Sequence, residues 1–89
     1  MNTYKIHPKA EKNVFRKVCS TLEQVLSLKG GKEIIDVDGS GIKCYKYRGR
    51  DVCVILDVDY DAVVVKSELD IKNKVENIEN IMADAVSMI

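Results

Sequence analysis

The feature that most restricts this chain is the spacing of its turns between residues 33 and 66. Four short segments of strand-forming residues occur there: Glu33 to Val37, Ile42 to Tyr47, Val52 to Asp57 and Ala62 to Lys66. They are separated by Asp38-Gly39-Ser40-Gly41, Arg48-Gly49-Arg50 and Val58-Asp59-Tyr60-Asp61. Connections this short cannot return the chain to the start of a parallel neighbour, which takes a crossover of a dozen or more residues. They join antiparallel neighbours, and the sequence therefore predicts a four-stranded meander. In Val52-Cys53-Val54-Ile55-Leu56 and Ala62-Val63-Val64-Val65 the apolar residues do not alternate with polar ones. Strands of that composition call for cover on both faces.

A helical pattern lies on either side. Ala10, Val14, Phe15, Val18, Cys19, Leu22, Val25 and Leu26 recur at three- and four-residue spacings, with Lys12, Arg16, Lys17 and Glu23 mostly on the other side. Pro8 suits the first turn of that helix, and Lys29-Gly30-Gly31 is a stop signal. The last helix is expected to begin near Asp70 or Asn73, where Asn73 and Glu76 resemble a capping box. Ile71, Val75, Ile78, Met82, Ala85 and Ile89 form its apolar stripe. This is the pattern of a core-facing helix, and Val75, Ile78, Met82, Ala85 and Ile89 are also the candidate seam for a partner helix.

The expected fold class is thus α+β: helix, four-stranded antiparallel meander, helix, with both helices packed on one face of the sheet. A chain of 89 residues has room for one core, so residues 1–89 are expected to form a single domain. Two helices leave the second face of the third and fourth strands bare, which predicts self-association, most simply as a homodimer.

The formal net charge of zero conceals an asymmetry. Residues 1–50 carry eleven Lys or Arg against five Asp or Glu, and residues 51–89 carry three against nine. Two halves that fold together neutralise each other, and a neutral chain exerts little long-range pull on phosphate. No apolar run reaches the roughly 18 to 20 residues of a membrane helix, so no membrane contact is expected. The residues Met1 to His7 lack the apolar core of a signal peptide, and Cys19, Cys44 and Cys53 are odd in number without CxxC spacing. A reducing, cytoplasmic setting with three small buried thiols is the expectation.

Each possible chemical motif has a plainer explanation beside it. Asp36, Asp38 and Gly41 match the opening of a calcium loop, but Lys43 and Tyr47 occupy positions that need an aliphatic residue and a bidentate Glu. Asp57, Asp59 and Asp61 could present carboxylates to a divalent ion, yet Asp is common in turns. Asp51 with Asp70-Ile71-Lys72 satisfies a loose metal-dependent nuclease pattern. His7 is the sole imidazole, and Gly30-Gly31-Lys32 closes a helix rather than opening one at a phosphate. No catalytic residue, metal ligand or cofactor is assigned from the sequence.

The most suggestive segment runs from Lys43 to Arg50. Lys43, Tyr45, Lys46, Tyr47, Arg48 and Arg50 interleave cations with aromatic rings, as a nucleic-acid surface can, and Lys5, Lys9, Lys12, Arg16 and Lys17 lie upstream. Alternation places Lys43, Tyr45 and Tyr47 on one face and Lys46 with Arg48 on the other. The primary expectation is a non-enzymatic binding or regulatory module acting on an unidentified protein partner or on itself as a homodimer. Nucleic-acid binding through the hairpin 43–50 and the basic first helix is the alternative, and a small metal-dependent nuclease is the third.

Overall fold

Five strands form the sheet, one more than the turn spacing predicts. The computed structural model describes the backbone of residues 2–87 and the side chains of residues 2–78 and 80. In chain order the elements are β1 (Asn2–His7), α1 (Lys12–Val25), β2 (Lys32–Ile35), β3 (Gly41–Tyr47), β4 (Arg50–Asp57), β5 (Ala62–Ser67) and α2 (Lys72–Ser87). The sheet order is β1-β5-β4-β3-β2, and every neighbouring pair is antiparallel. The expected meander is present as β2 to β5.

The additional strand is β1, which lies along the outer edge of β5 with Tyr4 opposite Val65 and Lys5 opposite Val64. Its alternation is genuine, with Tyr4 and Ile6 against the core. Two apolar residues are too few to declare a strand without the β5 edge that receives them. The pairing makes β5 an interior strand, and Ala62, Val63, Val64 and Val65 are all buried.

Helix α1 carries the chain from β1 at one edge of the sheet to β2 at the other. It begins at Lys12, four residues beyond Pro8, so Pro8 belongs to the turn between β1 and α1 rather than to the first helical turn. The Ala10 N–H donates to the Asp61 carboxylate at 2.8 Å, which ties that turn to the β4–β5 connection. The helix also stops before the expected Gly30-Gly31. Ser27 adopts φ 54°, the Leu28 N–H donates to the Glu23 carbonyl at 2.9 Å, and the Ser27 N–H reaches the Gln24 carbonyl at 3.4 Å. This is a Schellman-type ending with Ser in the left-handed position that Gly ordinarily fills.

Helix α2 is capped by Asp70 rather than Asn73. The Asp70 carboxylate accepts the Lys72 N–H at 3.1 Å and the Tyr4 hydroxyl at 3.2 Å, while the Ile71 N–H donates to the Tyr4 oxygen at 3.1 Å. Tyr4 thus joins the edge strand to the start of the last helix. Burial, foremost, and the neighbouring Asp70 push the Tyr4 hydroxyl pKa above its ordinary value, which keeps it a donor.

Both helices lie on one face. Phe15, Val18 and Leu22 of α1, Ile71 just before α2, and Val75 and Ile78 of α2 close over Val52, Val54, Leu56, Val63 and Val65 of the central strands. Fully burying a side chain of this size contributes about 1.5–3 kcal/mol, so this layer carries most of the stability.

Candidate functional site

Strand alternation divides the sheet into a face beneath the helices and an opposite face that neither α1 nor α2 covers. The register sets the opposite face out in rows. The middle row runs Ile34, Ile42, Ile55, Val64 and Lys5 across all five strands. Ile34 is 55% exposed, Ile42 and Ile55 are half-buried, and Val64 is buried. The cation of Lys5 stands over the Tyr60 ring at 5.5 Å to its centre. Tyr60, Thr3, Val64 and Lys66 border the same shallow depression, so Tyr60 shelters the β5 end of the stripe and leaves the β2 and β3 end open.

The next row runs Lys32, Cys44, Cys53, Lys66 and Thr3. Cys44 and Cys53 are direct cross-strand partners, 4.1 Å apart at Cα, and form a disulfide. The expectation of three separate buried thiols is corrected here. Two of the cysteines project from adjacent strands at the same register position, which turn counting alone does not reveal. Cys19 lies on the other side of the sheet, free and buried. Burial, foremost, raises its thiol pKa to about 11, so it stays protonated at neutral pH.

Charge is segregated along this face. Beyond the apolar row, Asp36, Asp38, Asp57 and Asp59 border a cleft of about 380 Å³ together with Ile34, Ile42 and Ile55. The Asp36 carboxylate accepts the Val37 N–H, Asp38 accepts the Ser40 N–H, and Asp57 accepts the Tyr60 N–H. These are turn contacts, and the resemblance to a calcium loop is explained by the hairpin closing through the Gly39 N–H and the Asp36 carbonyl. Asp57, Asp59 and Asp61 do not act as a unit, because Asp61 is engaged with Ala10. Among the described residues no three His, Cys, Asp or Glu side chains gather as a metal site.

The basic-aromatic hairpin is divided between the two faces. Lys43 and Tyr45 point under the helices, where the Tyr45 hydroxyl donates to Glu23 at 2.6 Å and the Lys43 ammonium lies 3.4 Å from the same carboxylate. Tyr45 is buried, and burial followed by the Glu23 hydrogen bond drives its pKa well above the usual tyrosine value. Gly31, at φ 126°, lies so close to the Tyr45 ring that a Cβ there would come within 2.5 Å of it, and no other residue fits. Tyr47 packs on the edge of the core with Arg48 over its ring, and Arg50 faces Glu68 at 3.7 Å. Lys46 pairs with Asp51 on the open face, which lowers the Asp51 pKa and raises that of Lys46. The six residues are placed in separate local contacts rather than on one continuous surface.

The two halves of the loose nuclease pattern also serve locally, Asp51 with Lys46 and Asp70 as the cap of α2. Of the candidate partner seam on α2, Val75 and Ile78 are buried in the core, while Met82, Ala85 and Ile89 lie outside the described side chains. Among the described residues no helix is long and apolar enough to cross a membrane. No protein-family model, characterised protein or solved structure matches the chain.

Proposed function

We propose that this chain is a non-enzymatic binding module that works through protein–protein contact as a homodimer, with the uncovered sheet face as its contact surface. The observation that supports this reading is the row Ile34, Ile42, Ile55 and Val64, an apolar band across four of the five strands with neither α1 nor α2 over it. An apolar band framed by charge is the anatomy of a recognition surface. The residues that sequence alone offers for other chemistry are engaged elsewhere. Tyr45 and Lys43 hold α1 to β3, Asp70 caps α2, and the Cys19 thiol is buried and protonated.

Light scattering on the intact chain tests this reading. The expected solution mass is twice 10.0 kDa, resistant to an added mixture of single-stranded and duplex oligonucleotide. Ile42→Lys and Ile55→Lys are expected to yield folded monomers by the same measurement, with unchanged circular dichroism. A wild-type monomer at all concentrations overturns the proposal. So does a mass that rises with oligonucleotide only at low salt, which would transfer the function to nucleic-acid binding.

A further inference from the structure

The charges on the uncovered face specify which way a second copy sits on it. Three bands follow one another along the strand direction: carboxylates, the apolar row and lysines. Asp36, Asp38, Asp57 and Asp59 lie at one end, beside Ile34, Ile42 and Ile55. Lys32 and Lys66 flank the disulfide in the row on the other side of the stripe. Among the described residues, none of these four carboxylates and neither of these lysines has an ion-pair partner within the chain. One surface therefore carries unpaired charge of both signs, separated by an apolar strip.

A two-fold axis lying along the apolar row superposes the stripe of one copy on the stripe of the other. It also reverses the strand direction, so each acidic end meets the lysine row of its partner. The lateral positions agree, because the axis keeps each strand over its own counterpart. Asp36 and Asp38, at the β2–β3 turn, face Lys32 of β2, and Asp57 and Asp59, at the end of β4, face Lys66 of β5. A two-fold axis parallel to the strands would instead set carboxylates over carboxylates. A surface that complements itself in this way is what an isologous dimer requires. Five strands spaced about 4.8 Å apart, each presenting about 20 Å, give the two copies roughly 1,000 Å² of contact, the lower bound for a specific interface.

We infer that the partner of this face is a second copy of the chain, stacked face to face about a two-fold axis along Ile34, Ile42, Ile55 and Val64, with the carboxylate end of each copy on the Lys32 and Lys66 row of the other. This rests on the homodimer reading above and adds its orientation. The tyrosine-sheltered end by β5 and the open end by β2 then each meet their own copy, so the interface is widest over β2 and β3.

Two charge-reversed variants test the orientation, one carrying Lys66→Glu and the other Asp57→Lys with Asp59→Lys. Each alone opposes like charges across the axis, and its homodimer is expected to weaken about 10- to 100-fold, whereas an equimolar mixture recovers a heterodimer within about 10-fold of wild type. Because Asp57 also holds the Tyr60 N–H, wild-type protein provides a second readout. A mixture of isotopically light and heavy chains, joined by a carbodiimide, is expected to show inter-subunit links from Asp36, Asp38, Asp57 or Asp59 to Lys32 or Lys66. A dimer with no such links, or charge-reversed variants that dimerise as well as wild type, overturns the orientation and leaves the homodimer standing. A wild-type monomer overturns both.

Discussion

The two faces of this sheet are built from the same strands and from similar residues, yet they have different fates. On the helix side the central pair β4 and β5 presents Val52, Val54, Leu56, Val63 and Val65, all almost wholly excluded from solvent. On the other side the same pair presents Asp51, Cys53, Ile55, Asp57, Val64 and Lys66. Apolar character at the centre is shared, so it does not decide which side the helices take. The polar residues decide it. Three consecutive apolar rows form a floor wide enough for α1 and α2, while the opposite face has one apolar row bounded by carboxylates and lysines. A helix laid there would desolvate Asp57 and Lys66 without partners, which costs more than burying Ile55 returns.

The comparison is broken most directly by removing a contact from each side. Phe15→Ala, at 1% exposure, is expected to lose about 3–5 kcal/mol in urea denaturation, near or beyond the whole stability of a domain this small. If Ile55→Ala, measured at concentrations that keep the chain monomeric, lost as much, the helix-covered layer would not be the principal core.

The disulfide is the uncovered face's own contribution to stability. It closes a loop with a sequence separation of 9, for which the chain-entropy argument gives about 2–3 kcal/mol. Cys44→Ser with Cys53→Ser, or reduction of the wild type by a dithiol, is expected to lower the urea midpoint by the corresponding amount. Equal midpoints for oxidised and reduced protein would remove the disulfide from the account. The loss should be confined to these two positions, since Cys19 is free and buried.

These contrasts also show how far the sequence could be read. The meander was legible because turn residues and strand residues alternate at spacings that permit one topology. Which apolar residues face the helices was not legible, because Val52 to Leu56 and Ala62 to Val65 are apolar on both faces. Strand β1 was not, because Tyr4 and Ile6 are a weak signal until the β5 edge is in place beside them. The end of α1 was misplaced by following Gly30-Gly31, since Ser27 takes the left-handed position that the sequence rule assigns to glycine. The disulfide was missed for a different reason. Cys44 and Cys53 become neighbours only through a register that the tight turn after Tyr47 sets, and a one-residue slip would send them to opposite faces. Of the uncovered face, the apolar centre was visible in the unalternating strands. Its segregated charges were not, because they are drawn from β2, β4, β5 and two turns.

Titration distinguishes the faces at opposite ends of the pH scale. Under the helices, burial raises the Cys19 pKa from 9.0 to about 11 and raises that of Tyr45 as well. The unfolded chain releases these protons first, so the stability they contribute is complete below about pH 9 and is lost as pH climbs from there toward 11. On the uncovered face Lys46 lowers the Asp51 pKa, which adds stability above the ordinary carboxylate range and loses it in acid. That pair lies open to solvent and its part is small. Urea midpoints are expected to be level through neutral pH and to fall in alkali, with Tyr45→Phe shallower than wild type above pH 10. An unchanged alkaline slope in Tyr45→Phe would remove that hydroxyl from the alkaline loss.

The smallest expected effect is also the sharpest discriminator between a surface that folds the chain and a surface that is used by it. Ile34 is 55% exposed on a four-residue edge strand whose residues are all exposed, so Ile34→Thr removes little burial from the monomer. Its stability is expected to stay within about 0.5 kcal/mol of wild type, as for surface substitutions generally. The same change removes apolar area from the end of the stripe that Tyr60 leaves open, and dimer dissociation by light scattering should shift even though the urea midpoint of the monomer does not. A midpoint that falls with the dimer unaltered would place Ile34 in the folding core instead. An effect on association alone is the signature of a residue whose apolar surface is kept exposed for a second molecule.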